Sequence, residues 1–370
     1  MKNILLIAPR FHTNQYYMIK HLLKKNNVSF IALYRGGIED YTFVKPKILI
    51  QSNISKKLQS LFNLRYDTLY FPKILDLYRK IRKIKPDLII LRIYSRPLLY
   101  IVSLLAKIFK CKIVYYDQTP LIKYNNFISY LKYCESIIAR YIFSAAWYSP
   151  ILLEPKEKYS IPFLVKTKKK INFIKNRYKI LMIGKFQSRK GHFLLIKVFS
   201  ELIKKYRIHL TIIGEVSNHE HVKNLNNINK YIRNKNLTDV CKIKTNIKFK
   251  SIEKEYEDCN LFVLPSYSEP AAISILEAQG LGRPVVCSDT CGTRNYLNES
   301  SSRIFKSNDS YSLTKSIKYF LDRQNNYNKF INKSYENALK NFSHEKFESD
   351  FTNFLNKNFK DEKKYYFFFT

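Results

Sequence analysis

Short apolar runs alternate with longer amphipathic stretches in two successive series along the chain. In the first, 3–8, 28–33, 87–92, 111–116 and 145–151 read as strands, separated by helices over 14–25, 73–84, 97–109 and 125–143. In the second, strands over 178–183, 208–213, 243–249, 261–264 and 284–287 alternate with helices over 191–206, 219–235, 252–258 and 271–279. Strands that are apolar without alternation are buried on both faces, and strand–helix repetition builds a parallel sheet flanked by helices. Two such series in 370 residues predict an α/β chain of two Rossmann-like α/β/α domains facing a central cleft. The expected division is 1–165 for the first domain and 166–342 for the second, joined through the basic, glycine-free run 165–177. A helix over 343–360, apolar at Phe347, Phe351, Phe354 and Leu355, is expected to cross back to the first domain; 361–370 is an aromatic tail with no assignment.

The net charge is +36, and residues 1–180 carry +25 of it. A field of that sign suits nucleic acid, an anionic membrane or a polyanionic substrate. No nucleic-acid-binding module is recognisable, which leaves nucleic acid resting on charge alone. A membrane surface fits the clusters 79–85 and 166–179, and a generally solvated basic surface fits them as well. The six cysteines include no C-x-x-C pair, so no metal site is expected, and a reduced, cytoplasmic protein is the simplest reading. Residues 1–9 read as a first strand rather than a signal peptide, and no stretch has the length and apolarity of a membrane span. The expected location is cytoplasmic, with peripheral attachment to the inner face of the plasma membrane as an extension.

Chemistry concentrates at the ends of the second series. Leu261–Leu264 is an apolar run stopped by Pro265; a polar turn follows, and 271–279 reads as a helix stopped by Gly280. Free N–H groups at the start of that helix would face phosphate. Glu269 in the turn could accept from sugar hydroxyls, or serve the helix dipole. Glu277, two turns into a helix begun at 271, could reach a ribose diol, or lie on a solvated face. Upstream, Gly184 ends a strand, and Lys185, Arg189 and Lys190 crowd the start of the next helix. Cations there oppose the macrodipole, so an anion such as a diphosphate is the natural complement; a solvated basic loop is the plainer alternative.

These segments carry a family resemblance. Pro265-Ser266 before Glu269, the Glu-x7-Glu spacing to Glu277, the following Ala278, and Gly282-Arg283-Pro284-Val285-Val286 resemble the motif of retaining, nucleotide-sugar-dependent glycosyltransferases of family four (GT-B fold, glycosyl transferases group 1). Gly184-Lys185 with Lys190-Gly191 resembles the family's diphosphate-binding segment, with lysine replacing the commoner arginine at 185. After Glu269 the chain has Pro270-Ala271-Ala272-Ile273-Ser274, where the family usually has glycine. Cys291-Gly292-Thr293-Arg294-Asn295 resembles the small-residue turn that follows Pro-Val-Val.

The resemblance implies metal-independent sugar transfer to an acceptor hydroxyl, with the nucleotide sugar as a substrate and no cofactor. It assigns Glu269 to catalysis, Lys185, Lys190, Ala272 and Ile273 to the donor diphosphate, and Glu277 to the donor ribose. Gly184 and Gly214 fall beside the donor. In the first half, Asp117 and Gln118 fill the place of a family histidine, His12 lies in the first loop, and each has a structural reading too. The expected acceptor is a glycan or a lipid-linked molecule, the basic first half suggesting a lipid-linked or membrane-proximal one as in bacterial surface polysaccharide assembly, with an anionic membrane surface as a further partner and no nucleic acid. A non-catalytic scaffold on this fold and a GT-B sugar-nucleotide epimerase are the alternatives.

Overall fold

The computed structural model describes residues 1–11, 13–64, 66, 69–92, 95–118, 138, 142–151, 160–168 and 178–359. His12, Cys134, nearly all of the expected helix over 125–143, the linker residues 169–177 and the tail over 361–370 lie outside the described residues. The chain forms two compact units: Met1–Pro162 together with the chain from Phe347 on, and Phe163–Lys346.

The first unit holds strands β1 (Asn3–Ala8), β2 (Asn27–Ala32), β3 (Lys47–Ile48), β4 (Leu88–Arg92), β5 (Lys112–Tyr116) and β6 (Ala146–Tyr148). They form one sheet in the order β3-β2-β1-β4-β5-β6, parallel at every pairing. Helices α1 (Thr13–Leu22), α2 (Asn53–Leu61), α3 (Ile74–Ile84) and α4 (Arg96–Ile108) belong to the same unit. β1 and β4 are central and buried on both faces, hence their unbroken apolar runs. α3 buries Leu77 and Ile81, one turn apart, and ends at Lys85 in the left-handed region (φ 49°). β3 and α2 do not follow from the alternation: the strand has only two residues, and the side chains that α2 buries, Ser55 and Gln59, are polar.

The second unit holds β7 (Tyr178–Ile183), β8 (Ile208–Gly214), β9 (Cys241–Thr245), β10 (Leu261–Leu264), β11 (Val285–Ser288) and β12 (Ser302–Phe305). The order is β12-β11-β10-β7-β8-β9, again parallel throughout. The helices are α5 (His192–Leu202), α6 (His219–Asn234), α7 (Phe249–Glu257), α8 (Ser274–Gly280), α9 (Ser310–Leu321) and α10 (Tyr327–Phe342). The chain leaves β7 for β8 on one side and returns to β10 on the other. The loops after β7 and β10 therefore meet at a topological switch point, where open parallel sheets bind ligands.

Several sequence expectations shift. The strand expected over 243–249 is β9, which stops where Asn246 turns left-handed (φ 53°), so Phe249 opens α7. The helix expected from 271 begins at Ser274, because the preceding residues are tied to a neighbouring loop: Gly292 N–H donates to Glu269 O (2.8 Å) and Thr293 Oγ1 to Ala272 O (2.8 Å). α8 ends at Gly280, the stop expected from the sequence. The missing Cβ of that glycine leaves room for the carbonyl of Lys166. β12, α9 and α10 are further elements that the alternation passes over, although Leu313, Ile317, Phe320 and Leu321 keep helical spacing and are buried.

The last helix, α11 (His344–Asn358), packs into the first unit through Phe347, Phe351, Phe354 and Leu355. The Tyr148 ring lies 6.0 Å from Phe351 and 5.6 Å from Phe354, and His21 Nε2 is 3.3 Å from Glu348. Phe351→Ala should lower the unfolding free energy by about 3–5 kcal/mol in urea titrations, the usual loss for a phenylalanine cavity. A loss near zero would show that α11 contributes nothing to the core.

Candidate active site

The loop after β7 runs from Gly184 through a 3-10 turn, Ser188–Lys190, to Gly191, which adopts φ 74° ahead of α5. A side chain at Gly191 would be strained by that φ, and its Cβ would overlap the Pro265 carbonyl at the end of β10. Glycine thus lets the loop lie against the strand end, and Tyr267 N–H donates to Arg189 O (3.0 Å) beside it. Gly214 is tight for a similar reason: a Cβ there would stand 2.7 Å from Gly184 O. Among the described residues these glycines draw the ends of β7, β8 and β10 together.

Charged side chains fill the space so formed. Lys190 Nζ pairs with Glu269 Oε2, and Arg189 Nη1 reaches the same oxygen at 3.1 Å while donating to Ser268 O at 2.5 Å. The Glu269 and Lys190 side chains are 8% and 12% exposed, so the pair is only weakly screened. Lys185 Nζ pairs with Glu215 Oε2 at 3.0 Å. Three cations and two carboxylates leave this cluster with one net positive charge. The Glu269 backbone bridges Cys291 in parallel register, anchoring the carboxylate to the turn after β11.

Glu277 lies apart from the ion pairs. It occupies the first turn of α8, with its N–H bonded to Ile273 O (2.9 Å), because the helix starts later than expected. The side chain is buried, which corrects the solvated-face alternative. Tyr256 Oη donates to Oε2 (3.0 Å), and Oε1 has no partner. Burial pushes this carboxyl up to about 7, with the Tyr256 hydrogen bond pulling the other way. His192 stacks on Phe186 (centroids 5.1 Å apart), and burial lowers it to about 4, opposed by a ring N–H hydrogen bond to the Gly184 backbone carbonyl and helped by the Lys190 charge.

The structure therefore brings together Gly184, Lys185, Lys190, Gly214 and Glu269. Ala272 and Ile273 precede α8, Ala272 through the Thr293 bond and Ile273 as the helix cap. Asp117 and Gln118 lie in the first unit, both buried: Asp117 N–H donates to Tyr148 O (3.0 Å) and Gln118 Nε2 to Tyr116 Oη (2.7 Å). The pairing of Lys185 with Glu215 and the bond from Tyr256 to Glu277 do not follow from the sequence motifs. Glu215 follows Gly214 at the strand end, which was a usable signal; nothing local marks Tyr256. Among the described residues no three His, Cys, Asp or Glu side chains gather as a metal-binding group.

Two parallel six-stranded sheets with flanking helices define the GT-B fold of two Rossmann-like domains. Solved structures share it. A glycosyltransferase from Rickettsia africae ESF-5 superposes with a TM-score of 0.71 at 16% identity, covering 97% of this chain and 98% of that one. HepE of Anabaena in complex with UDP and glucose gives a TM-score of 0.72 at 12% identity, covering 96% of this chain and all (100%) of that one. Residues 165–337 match the family model described as Glycosyl transferases group 1. Over 110 residues the chain is 29% identical to mannosylfructose-phosphate synthase of Agrobacterium fabrum, which covers 29% of this chain and 24% of that protein. The chain thus spans about a quarter of the length of that curated relative. The solved structures share the GT-B fold with this chain, and within its second unit residues 165–337 match the glycosyl transferases group 1 model.

The two shifted groups oppose each other in pH dependence. Between its ordinary 4.5 and about 7, folded Glu277 holds a proton that the unfolded chain has released, so its contribution to stability falls as pH rises. Between about 4 and 6.5, folded His192 lacks a proton that the unfolded chain binds, so its contribution falls as pH drops. Comparing wild type with Glu277→Gln isolates the first. The stability difference should turn against wild type by on the order of 3 kcal/mol as pH rises across the Glu277 window in urea unfolding. A difference that stays flat with pH would mean the carboxyl is not raised.

Proposed function

We propose that this chain is a retaining, metal-independent glycosyltransferase. It moves a sugar from a nucleotide-sugar donor to a hydroxyl of a glycan or lipid-linked acceptor in the assembly of bacterial surface polysaccharide. One observation carries the reading: Lys185, Arg189 and Lys190 are gathered at the switch point of the second unit, held by Glu215 and Glu269. UDP and glucose bound to the structurally similar HepE support a nucleotide sugar as donor.

The chemistry follows from the charges. The bond from the anomeric carbon to the diphosphate breaks, and negative charge grows on the departing phosphate oxygens. Lys185, Lys190 and Arg189 are already oriented by carboxylates, so they stabilise that charge without reorganising. The departing oxygen takes the proton of the acceptor hydroxyl, which attacks the same face of the sugar and retains its configuration. Glu269 positions both cations and offers its carboxylate to the sugar hydroxyls. The unpartnered Oε1 of Glu277 accepts from a ribose hydroxyl, which favours the ionised carboxylate. Ala272 and Ile273 line the diphosphate. The cations take the part a divalent metal plays in other transferases. The basic first half fits an acceptor held near an anionic membrane.

A thermal-shift screen against UDP-, GDP-, ADP- and CMP-sugars in EDTA tests the donor site. One nucleotide class should raise Tm, and Lys190→Ala and Glu277→Ala should each abolish the rise; stabilisation untouched by either substitution would put the donor elsewhere. Turnover of that donor should survive EDTA, fall about a hundredfold or more in Lys190→Ala, and give a product of unchanged anomeric configuration by NMR. Turnover that needs added Mg²⁺ or Mn²⁺, or an inverted product, would overturn the mechanism.

A further inference from the structure

Helix α2 carries its apolar face outward. Its inward side is polar: Ser55 and Gln59 are buried, and Gln51 Nε2 donates to Ser55 Oγ (2.8 Å) and Gln59 Oε1 (2.6 Å). Ser55 Oγ donates to Leu69 O (3.1 Å), and Gln59 Nε2 donates to Tyr66 O (2.8 Å). The other side presents Ile54, Leu58, Leu61 and Phe62, spaced as i, i+4, i+7 and i+8, with Ile54 66%, Leu61 75% and Phe62 59% exposed. Helices of globular units normally bury such a stripe, as α3 does with Leu77 and Ile81. Hydrogen bonds fix α2 in place here, and among the described residues the stripe stays exposed.

The patch extends beyond the helix. Gln51 bridges Pro72, and Lys73 N–H donates to Ile50 O (2.7 Å), so α2 and α3 start from adjoining backbone. Ile50 is half exposed, and α3 opens with Ile74 and Leu75, 60% and 58% exposed. Cations surround these side chains: Lys56 and Lys57 on α2, and Lys73 ahead of α3, all exposed. Residues 45–85 hold 11 Lys and Arg against 2 Asp and Glu. A second copy of the chain would bring two such positive surfaces together, whereas an anionic bilayer complements both the charge and the apolar stripe.

We propose that α2, with Ile50 and the first turn of α3, is a docking surface for an anionic phospholipid bilayer. Ile54, Leu61 and Phe62 enter the boundary between headgroups and acyl chains, and Lys56, Lys57 and Lys73 contact the headgroups. This is the in-plane mode of an amphipathic helix, in which apolar burial and lipid charge act together. The proposal deepens the transferase reading, since it rests on that reading for an acceptor at the membrane, while the lipid contact is measurable without sugar transfer.

The full chain is sedimented with vesicles of phosphatidylglycerol and phosphatidylethanolamine, and with vesicles of phosphatidylcholine alone, at low salt. Binding to the first and not the second is expected. The double variant Ile54→Ser/Leu61→Ser should lose about tenfold or more in vesicle affinity, because two inserted side chains are removed. Lys56→Gln/Lys57→Gln should lose roughly fivefold per charge. Both sets replace exposed side chains, so Tm and donor-induced stabilisation should match wild type. Failure of wild type to bind anionic vesicles would overturn the proposal, as would serine variants that bind as tightly as wild type. A dimer that the serine variants dissolve, with no vesicle binding, would assign the stripe to self-association instead. A chain that binds vesicles but no sugar nucleotide would keep the docking surface and sink the transferase reading.

Discussion

The Glu269 carboxylate is the contact on which the candidate site depends. It holds Lys190 and Arg189, and its own backbone is tied to Cys291 and Gly292, so one residue links the loops after β7, β10 and β11. Each loop alone is a short polar connection. Joined, they hold Arg189 and Lys190 at the carboxyl end of the second sheet, and Glu215 after β8 holds Lys185. Removing the carboxylate would leave two cations close together with their charges uncompensated and little water to screen them.

Glycine usage shows how that cluster is accommodated. The chain has only 8 glycines, and Gly184, Gly191 and Gly214 all lie where β7, β8 and β10 end. Gly191 meets a positive φ and a carbonyl in van der Waals range; Gly214 meets the Gly184 carbonyl and the Phe186 ring. In a chain this rich in Lys, Asn and Ile, glycine persists where backbone must approach backbone. The Ala271-Ala272 pair replaces glycine in the neighbouring loop, where the chain bonds to Thr293 without a close approach of that kind.

The sequence made the two-sheet architecture legible because strands buried on both faces leave unbroken apolar runs, as β1, β4, β7 and β10 do. It failed where stability comes from elsewhere. β3 is two residues held by the neighbouring strand, too short to show a period, and α2 buries polar side chains while its apolar spacing faces outward, so neither reads as a core element. α8 starts later than its local propensity suggests, because Ala271 and Ala272 favour helix locally while the carbonyl of Ala272 is bonded by Thr293, some twenty residues downstream. Lys185, Lys190, Glu269 and Glu277 could be picked out by spacing and motif. That Glu269 pairs with Lys190, and that Tyr256 covers Glu277, depends on which loops meet across the sheet, and no local pattern records it.

The first unit is discontinuous: its early strands and helices are completed by α11, some 180 residues further along the chain. During synthesis at about 5–20 residues per second, Tyr148 waits on the order of ten to forty seconds for Phe351 and Phe354 to be made. The second unit is contiguous and has all its strands before then. The nascent chain therefore carries an unfinished aromatic surface while about two hundred further residues are added, and the first core closes only when α11 emerges.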